Sequence, residues 1–159
     1  MSRAPEFLHD LPQALAWLRA RVTGQLRTDS RQVQPGDGFI AWPGGVSDGR
    51  AFVASALERG AAACLVEQEG AEGFALTGDA VAAFAGLKQA TGAMAGLWFG
   101  HPSQDLAVLA VTGTNGKTTT AWWLAHALSQ WKQGAQAGCA LVGTLGMGVP
   151  PALVSTGMT

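Results

Sequence analysis

Thr112-Gly113-Thr114-Asn115-Gly116-Lys117-Thr118-Thr119-Thr120 is the stretch on which the reading of this 159-residue chain turns. It follows the apolar run Leu106-Ala107-Val108-Leu109-Ala110-Val111 and precedes the helical pattern Ala121-Trp122-Trp123-Leu124-Ala125-His126-Ala127-Leu128. An apolar strand, a glycine-bearing turn carrying Lys-Thr, and then a helix is the layout of a loop that cradles nucleotide phosphates. The residue types follow from the chemistry. Glycines admit positive φ and let the backbone approach an anion closely. Amides at the start of the new helix point at that anion, aided by the helix dipole. Gly113, Thr114, Asn115, Gly116, Lys117, Thr118 and Thr119 are therefore the candidate ATP-binding residues. Lys117 is the candidate catalytic cation toward the β- and γ-phosphates, and the Thr118 hydroxyl a candidate Mg²⁺ ligand. The longer phosphate-loop pattern would need a glycine where Val111 stands, so the motif here is the shorter Gly-Thr-Asn-Gly-Lys-Thr.

The composition supports a folded domain and narrows its partners. Hydrophobic residues make up 48% and charged residues 13%, which supplies a core and argues against disorder. A net charge of −1 argues against a broad nucleic-acid or acidic-membrane surface. Cys64 and Cys139 form no Cys-x-x-Cys spacing, and two free thiols are expected. No secretory leader is visible in Met1-Ser2-Arg3-Ala4-Pro5-Glu6. No apolar run approaches the roughly 18 residues of a membrane span. A cytoplasmic protein is the expectation.

Outward from the loop, strand and helix patterns alternate. Asp10-Leu11-Pro12 reads as a capped helix start, followed by Leu15, Leu18 and Val22 at helical spacing. Leu26-Arg27-Thr28 and Phe39-Ile40-Ala41-Trp42 read as strands around the Pro35-Gly36-Asp37-Gly38 turn. Pro43 to Gly49 is a loop, Phe52, Ala56 and Leu57 share a helix face, and Gly60 sits at a helix end. Ala62 to Val66 reads as a buried strand and Phe74 to Thr77 as another. Asp79 is expected to cap one long helix across 80–99, carrying Val81, Phe84, Leu87, Met94, Leu97 and Trp98. Gly100-His101-Pro102-Ser103 breaks that helix. Further strands are expected at Leu106 to Val111 and Ala140-Leu141-Val142. The expectation is an α/β protein with a largely parallel sheet: a small N-terminal α/β domain over 1–100, then the opening of a phosphate-loop parallel-sheet domain over 101–159. Too little follows the loop to close a nucleotide-hydrolysing domain, so the second domain reads as truncated.

These pieces, taken together, resemble a known family. Thr28-Asp29-Ser30-Arg31, Val33, Pro35-Gly36-Asp37, Phe39-Ile40-Ala41, Gly44, Asp48-Gly49, Phe52, Ala56 and Gly60-Ala61 resemble the N-terminal domain of the Mur ligases. Gly100-His101-Pro102-Ser103 and the Gly113 to Thr120 loop continue the likeness in order. Within the family the likeness is strongest to the MurE branch, which adds the third amino acid to the peptidoglycan precursor. The resemblance implies a three-domain ligase whose first domain holds the UDP part of its substrate, whose second binds ATP and whose third binds the incoming amino acid. It implies ATP and Mg²⁺ as cofactors. The implied partners are UDP-N-acetylmuramoyl-L-alanyl-D-glutamate and a diamino acid, meso-diaminopimelate or, in some lineages, lysine. The site for that diamino acid would lie outside these residues, and the fragment would be inactive alone.

The resemblance also carries site residues. Ser30 stands where the family contacts uridine, and Thr28 falls at a second contact through its backbone. Gly45, Val46 and Ser47 occupy the family's next uridine-contacting segment. Ser155-Thr156-Gly157-Met158-Thr159 resembles the start of a substrate loop, with Thr159 on the muramoyl-peptide side. Asp29 and Arg31 read as a structural pair, Asp48-Gly49 as a turn, and His101 as a helix-end residue. Trp122, Trp123 and Trp131 read as packing. Three other readings stay open: a MurF-type ligase, a folylpolyglutamate synthetase-like ligase, and a non-catalytic UDP-sugar binding module.

Overall fold

Short apolar runs separated by turns fold here into alternating strands and helices. The computed structural model describes residues 4–131 and 138–155. The chain divides into two compact units, residues 1–106 and 107–159.

The first unit contains β1 (Glu6–Leu8), α1 (Leu11–Arg19), β2 (Leu26–Arg27), β3 (Gly38–Ala41), α2 (Val53–Glu58), β4 (Ala63–Glu67), β5 (Val81–Phe84) and α3 (Leu87–Trp98). Its five strands form one sheet in the order β1-β5-β4-β3-β2, and every pairing is parallel. All residues of β3, β4 and β5 are buried, as a parallel sheet covered on both faces requires. The strand period of two sorts their side chains. Ile40, Leu65 and Ala82 face α1 and α3 with Leu15, Trp17, Leu18, Leu87 and Met94. Phe39, Cys64, Val66 and Val81 face the opposite layer with Val53 and Ala56.

The expected helix start is present at α1. The Asp10 carboxylate accepts from the Gln13 amide at 2.8 Å, and Gln13 Oε1 accepts from the His9 amide at 2.9 Å. Gly60 follows α2 at φ +95°, and a Cβ there would stand 3.0 Å from the Pro35 backbone. Both the turn and the close approach favour glycine.

The long helix expected across 80–99 is two elements. Val81–Phe84 is strand β5, and α3 begins only at Leu87, after Gly86 at φ +69°. Four consecutive apolar residues satisfy a buried strand and a buried helix equally well. The seat between β1 and β4 decides it. Asp79 lies in the turn before β5 rather than at a helix cap, and α3 is capped from elsewhere, as described below. Phe74 to Thr77 is irregular rather than a strand, although Leu76 is buried.

The second unit contains α4 (Lys117–Gln130), β6 (Leu141–Gly143), β7 (Gly146–Val149) and β8 (Ala152–Val154). The helix after the glycine loop forms as expected. The three strands pair as an antiparallel meander, β6-β7-β8, whose short turns allow only antiparallel neighbours. Leu106 to Val111 forms no strand ladder among the described residues, and Leu106, Val108 and Leu109 are exposed. A parallel central strand gains its stability from partners on both edges. No described strand pairs with this run.

Candidate functional site

Two places gather the candidate residues, one in each unit. The first lies beyond the C-terminal ends of β2 and β3, where parallel α/β sheets commonly hold ligands. A cleft of about 720 Å³ opens there, lined by Thr28, Ser30 and Arg31 after β2, Trp42, Gly44 and Ser47 after β3, and Ser55 and Arg59 of α2 and its end. Thr28 and Ser30 thus share one wall system with Ser47, distant from them in sequence. Gly45 and Val46 do not line it. The loop closes through a Pro43–Asp48 bridge, and the Gly44 amide donates to the Ser47 carbonyl at 2.9 Å. That leaves Gly45 and Val46 at the tip, with Val46 fully exposed.

Ser30 is set by its neighbours. Asp29 caps the short 3₁₀ turn Ser30–Gln32, accepting from the Arg31 amide at 2.9 Å. Its carboxylate also pairs with the Arg31 guanidinium at 2.7 Å, so the expected structural pair is present. The Arg31 side-chain and backbone hydrogen bonds hold the Asp29 carboxyl down at about 2. Behind them, Asp37 is 4% exposed and accepts from the Gln25 amide at 2.7 Å, the Gln34 amide at 3.1 Å and Arg27 Nε at 3.1 Å. Burial raises the Asp37 carboxyl, but those two amides and the Arg27 guanidinium outweigh it and hold it below the usual carboxylate range. This network fixes the β2–β3 turn, and with it the end of β2 from which Thr28 projects.

Sequence reading missed the roles of Asp37, Arg50 and Glu67, the three buried charged residues among those described. The available signal was a charge set at the edge of an apolar run. Glu67 closes the run Ala63 to Val66 and accepts from the Gly86 and Leu87 amides at 3.0 and 2.7 Å. It thereby caps α3, whose own N-cap glycine has no side chain to do so.

The second place is the glycine loop. Gly113 and Gly116 adopt φ +137° and +75°, and α4 starts directly behind them with no side-chain cap. Its first-turn amides have no acceptor within the helix, which fits an anion at this end. Lys117 Nζ donates to the carbonyls of Gly113 at 2.7 Å and Thr114 at 3.4 Å, so its charge lies over the loop. Thr118 Oγ1 stands 3.5 Å from Thr144 Oγ1 in the β6–β7 turn. Thr114, Asn115 and Thr119 are exposed around it. No group of three or more His, Cys, Asp or Glu side chains converges on a metal position among the described residues. A divalent ion here would depend on hydroxyls and on the phosphates it accompanies. Thr159, with Thr156, Gly157 and Met158, lies outside the described residues.

The remaining candidates have structural positions. Burial pushes the Cys64 thiol up to about 12, which removes it as a nucleophile. His101 ends α3 at φ +55°, its amide donating to the Gly96 carbonyl at 2.6 Å. His126 stacks on Trp122 and contacts Gln130 at 2.8 Å. Trp123 and Trp131 are exposed. Among the described residues no helix is long and apolar enough to cross a membrane.

Comparison with known proteins agrees with this arrangement. A family model described as "Mur ligase family, catalytic domain" matches residues 24–112, and one described as "Mur ligase middle domain" matches 111–159. The protein of Acidovorax sp. (strain JS42) named UDP-N-acetylmuramoyl-L-alanyl-D-glutamate--2,6-diaminopimelate ligase is 69% identical over 155 residues, 96% of this chain and 31% of that protein. The same-named protein of Ralstonia nicotianae is 43% identical over 159 residues, 94% of this chain and 30% of its own. A solved structure of a ligase of that name superposes with a TM-score of 0.54 at 31% identity, covering 81% of this chain and 25% of that one. The chain thus spans about 30% of the length of the relatives it matches. The first match holds the cleft and the second begins at the glycine loop, so both sites fall within the matched stretches. This chain belongs to the Mur ligase family.

Proposed function

We propose that these residues supply the uridine-nucleotide cleft and the opening of the ATP site of a MurE-type ligase. The reaction joins a diamino acid, meso-diaminopimelate, to UDP-N-acetylmuramoyl-L-alanyl-D-glutamate. The observation that carries the reading is the gathering of Thr28, Ser30 and Ser47 on one cleft at the carboxyl ends of β2 and β3. Relatives of that name, 69% and 43% identical, support it.

In the proposed chemistry a substrate carboxylate oxygen attacks the γ-phosphorus of ATP, and ADP leaves. The resulting acyl phosphate is attacked by the diamino acid's amine. The C–O bond to phosphate breaks, inorganic phosphate departs, and the amine loses a proton. A carboxylate is a poor acyl donor until one oxygen becomes such a leaving group. Phosphoryl transfer rests on positioning and charge neutralisation more than on covalent help. Lys117 supplies a cation over the loop, and the uncapped α4 amides supply donors. The Thr118 hydroxyl would hold Mg²⁺, and the ion would supply further neutralising charge. Ser30 and Ser47 supply hydroxyls that both donate and accept, which suits a uracil edge and a ribose. The division at residue 106 and the family match beginning at 111 support assigning the uridine cleft to an N-terminal domain and the loop to a second one. The diamino-acid site and the remainder of the ATP site are assigned to the part of the relatives' length that these residues do not match. The reading places the protein in the cytoplasm.

Calorimetric titration of the chain with UMP, the UDP-muropeptide and ATP tests this. Both uridine ligands should bind, and Ser30→Ala should weaken them by roughly 1 kcal/mol or more, the scale of one hydrogen bond. Failure of both uridine ligands on a folded chain refutes the cleft. In the full-length protein, Lys117→Ala should abolish ligation and leave UDP-muropeptide binding intact, and ligation that survives would refute the loop assignment.

A further inference from the structure

Arg50 is 7% exposed and does not line the cleft, yet its guanidinium uses its donors in three directions. Nε and Nη2 form a fork onto Asp48 at 3.0 and 2.7 Å, while Nη1 donates to the carbonyls of Glu67, at 3.3 Å, and of Glu69. The same group lies 4.7 Å over the Phe74 ring. The fork ties the last residue of the Pro43–Asp48 loop to the end of β4. That loop carries Gly44 and Ser47, two residues of the cleft wall. Its neck is tight, since a Cβ on Gly44 would stand 2.7 Å from the Ser47 carbonyl. The Gly49 amide also returns to the Trp42 carbonyl at 3.0 Å.

We propose that the Asp48–Arg50 pair positions the Gly44–Ser47 wall of the cleft and so sets its affinity for a uridine diphosphate. The inference rests on the uridine reading given above. Burying the Arg50 guanidinium, even against a partly exposed Asp48, is seldom the cheapest way to fill space, because withdrawing its charge from water offsets much of the attraction. An apolar side chain at position 50 would pack beside Phe74 without that cost. It could not hold a loop and a strand end at fixed distances at once. Arginine can, because its planar fork engages a carboxylate with two parallel bonds while the other nitrogen stays free to donate. Lysine, a single point charge, cannot do both. The Arg50 guanidinium also holds the Asp48 carboxyl below the usual carboxylate range, so the pair stays charged at neutral pH.

The test is calorimetric titration of UDP into the chain and into Arg50→Lys, Asp48→Asn and Met94→Ala. Met94 is buried in α3 against the opposite face of the sheet and serves as a matched loss of stability remote from the loop. Arg50→Lys should raise the Kd for UDP about tenfold, the consequence of one misplaced hydrogen bond. Asp48→Asn should raise it about threefold on the same argument, because one good acceptor oxygen remains. Met94→Ala, folded at the titration temperature, should bind like the wild type. A Kd for Arg50→Lys within twofold of wild type overturns the proposal, as does an equal weakening by Met94→Ala. Should Arg50→Lys fail to fold, Asp48→Asn decides, and an unchanged Kd there overturns it. Failure of the wild-type chain to bind UDP overturns the uridine reading and this inference together, and is distinguished by that control.

Discussion

Replacing Glu67 by alanine should destabilise the first unit by about 3 kcal/mol, although Glu67 touches no candidate ligand residue. The figure follows from its four accepted bonds. Those from the Gln68 and Glu69 amides, at 3.0 and 3.4 Å, are local and partly solvated and contribute little. Those from the Gly86 and Leu87 amides reach across to α3, and Leu87 is completely buried. A hydrogen bond to a charged group contributes roughly 1.5–3 kcal/mol, and two are lost. The carboxylate's own desolvation, relieved in the mutant, returns part of that sum. No alternative cap exists on Gly86, so the helix start cannot recover it locally. Urea unfolding followed by far-ultraviolet circular dichroism measures the difference. With a slope near 1.5 kcal/mol per molar for a unit of this size, the midpoint should fall by about 2 M. Glu67→Gln, which keeps one acceptor oxygen in the same shape, should recover about half of the loss. A midpoint shift under about 0.5 M for Glu67→Ala would refute the cross-strand cap.

Met94→Ala, at a site only 1% exposed, should cost about 3 kcal/mol through the cavity it leaves, checked by the same unfolding curves. The pH dependence follows from Asp29, Asp37 and Asp48, whose carboxyls all lie below their ordinary values in the folded chain. Because the folded state binds their protons less readily, their contribution is full above the unfolded value of about 3.9 and is lost as pH falls toward about 2. The urea midpoint should therefore hold from pH 7 to 5 and drop between pH 4 and 2. Asp37→Asn should flatten that drop, and an acid limb as steep as the wild type's would remove Asp37 from it.

The sequence was most legible where one residue type had one physical use. Asp10 before Pro12 marked a helix start, Gly60 marked the end of α2, and the glycine pair before Lys117 marked the start of α4. It was least legible across Val81 to Trp98. There an apolar strand, a two-residue turn and an apolar helix run together, and composition cannot separate them. The expectation for Leu106 to Val111 shows the converse limit. A run with strand character acquires a ladder only from partners, and periodicity carries no information about them. Ser30 and Thr28, expected from the family resemblance to share a site, do line one cleft after β2. The position of Gly45 and Val46 at the loop tip, off the cleft wall, was not legible, since it follows from the local Pro43–Asp48 bridge that closes the loop beneath them.

The buried charges explain why the ends of such an apolar sheet hold a defined shape. The interior of β3, β4 and β5 is interchangeable packing: Val, Ala, Leu and Phe specify that strands sit together but not how their connecting loops leave them. Each of the three buried charged groups acts at one of those exits. Asp37 fixes the turn into β3, Arg50 the loop returning from it, and Glu67 the step from β4 to the start of α3. Each works by accepting from or donating to backbone groups that no helix or ladder would satisfy, so displacing any of them strands buried donors or acceptors. In a chain with 13% charged residues, these three confer loop geometry that the apolar residues cannot. The cleft residues Thr28, Gly44 and Ser47 sit on two of those exits, which couples the affinity of the site to charges that no ligand touches.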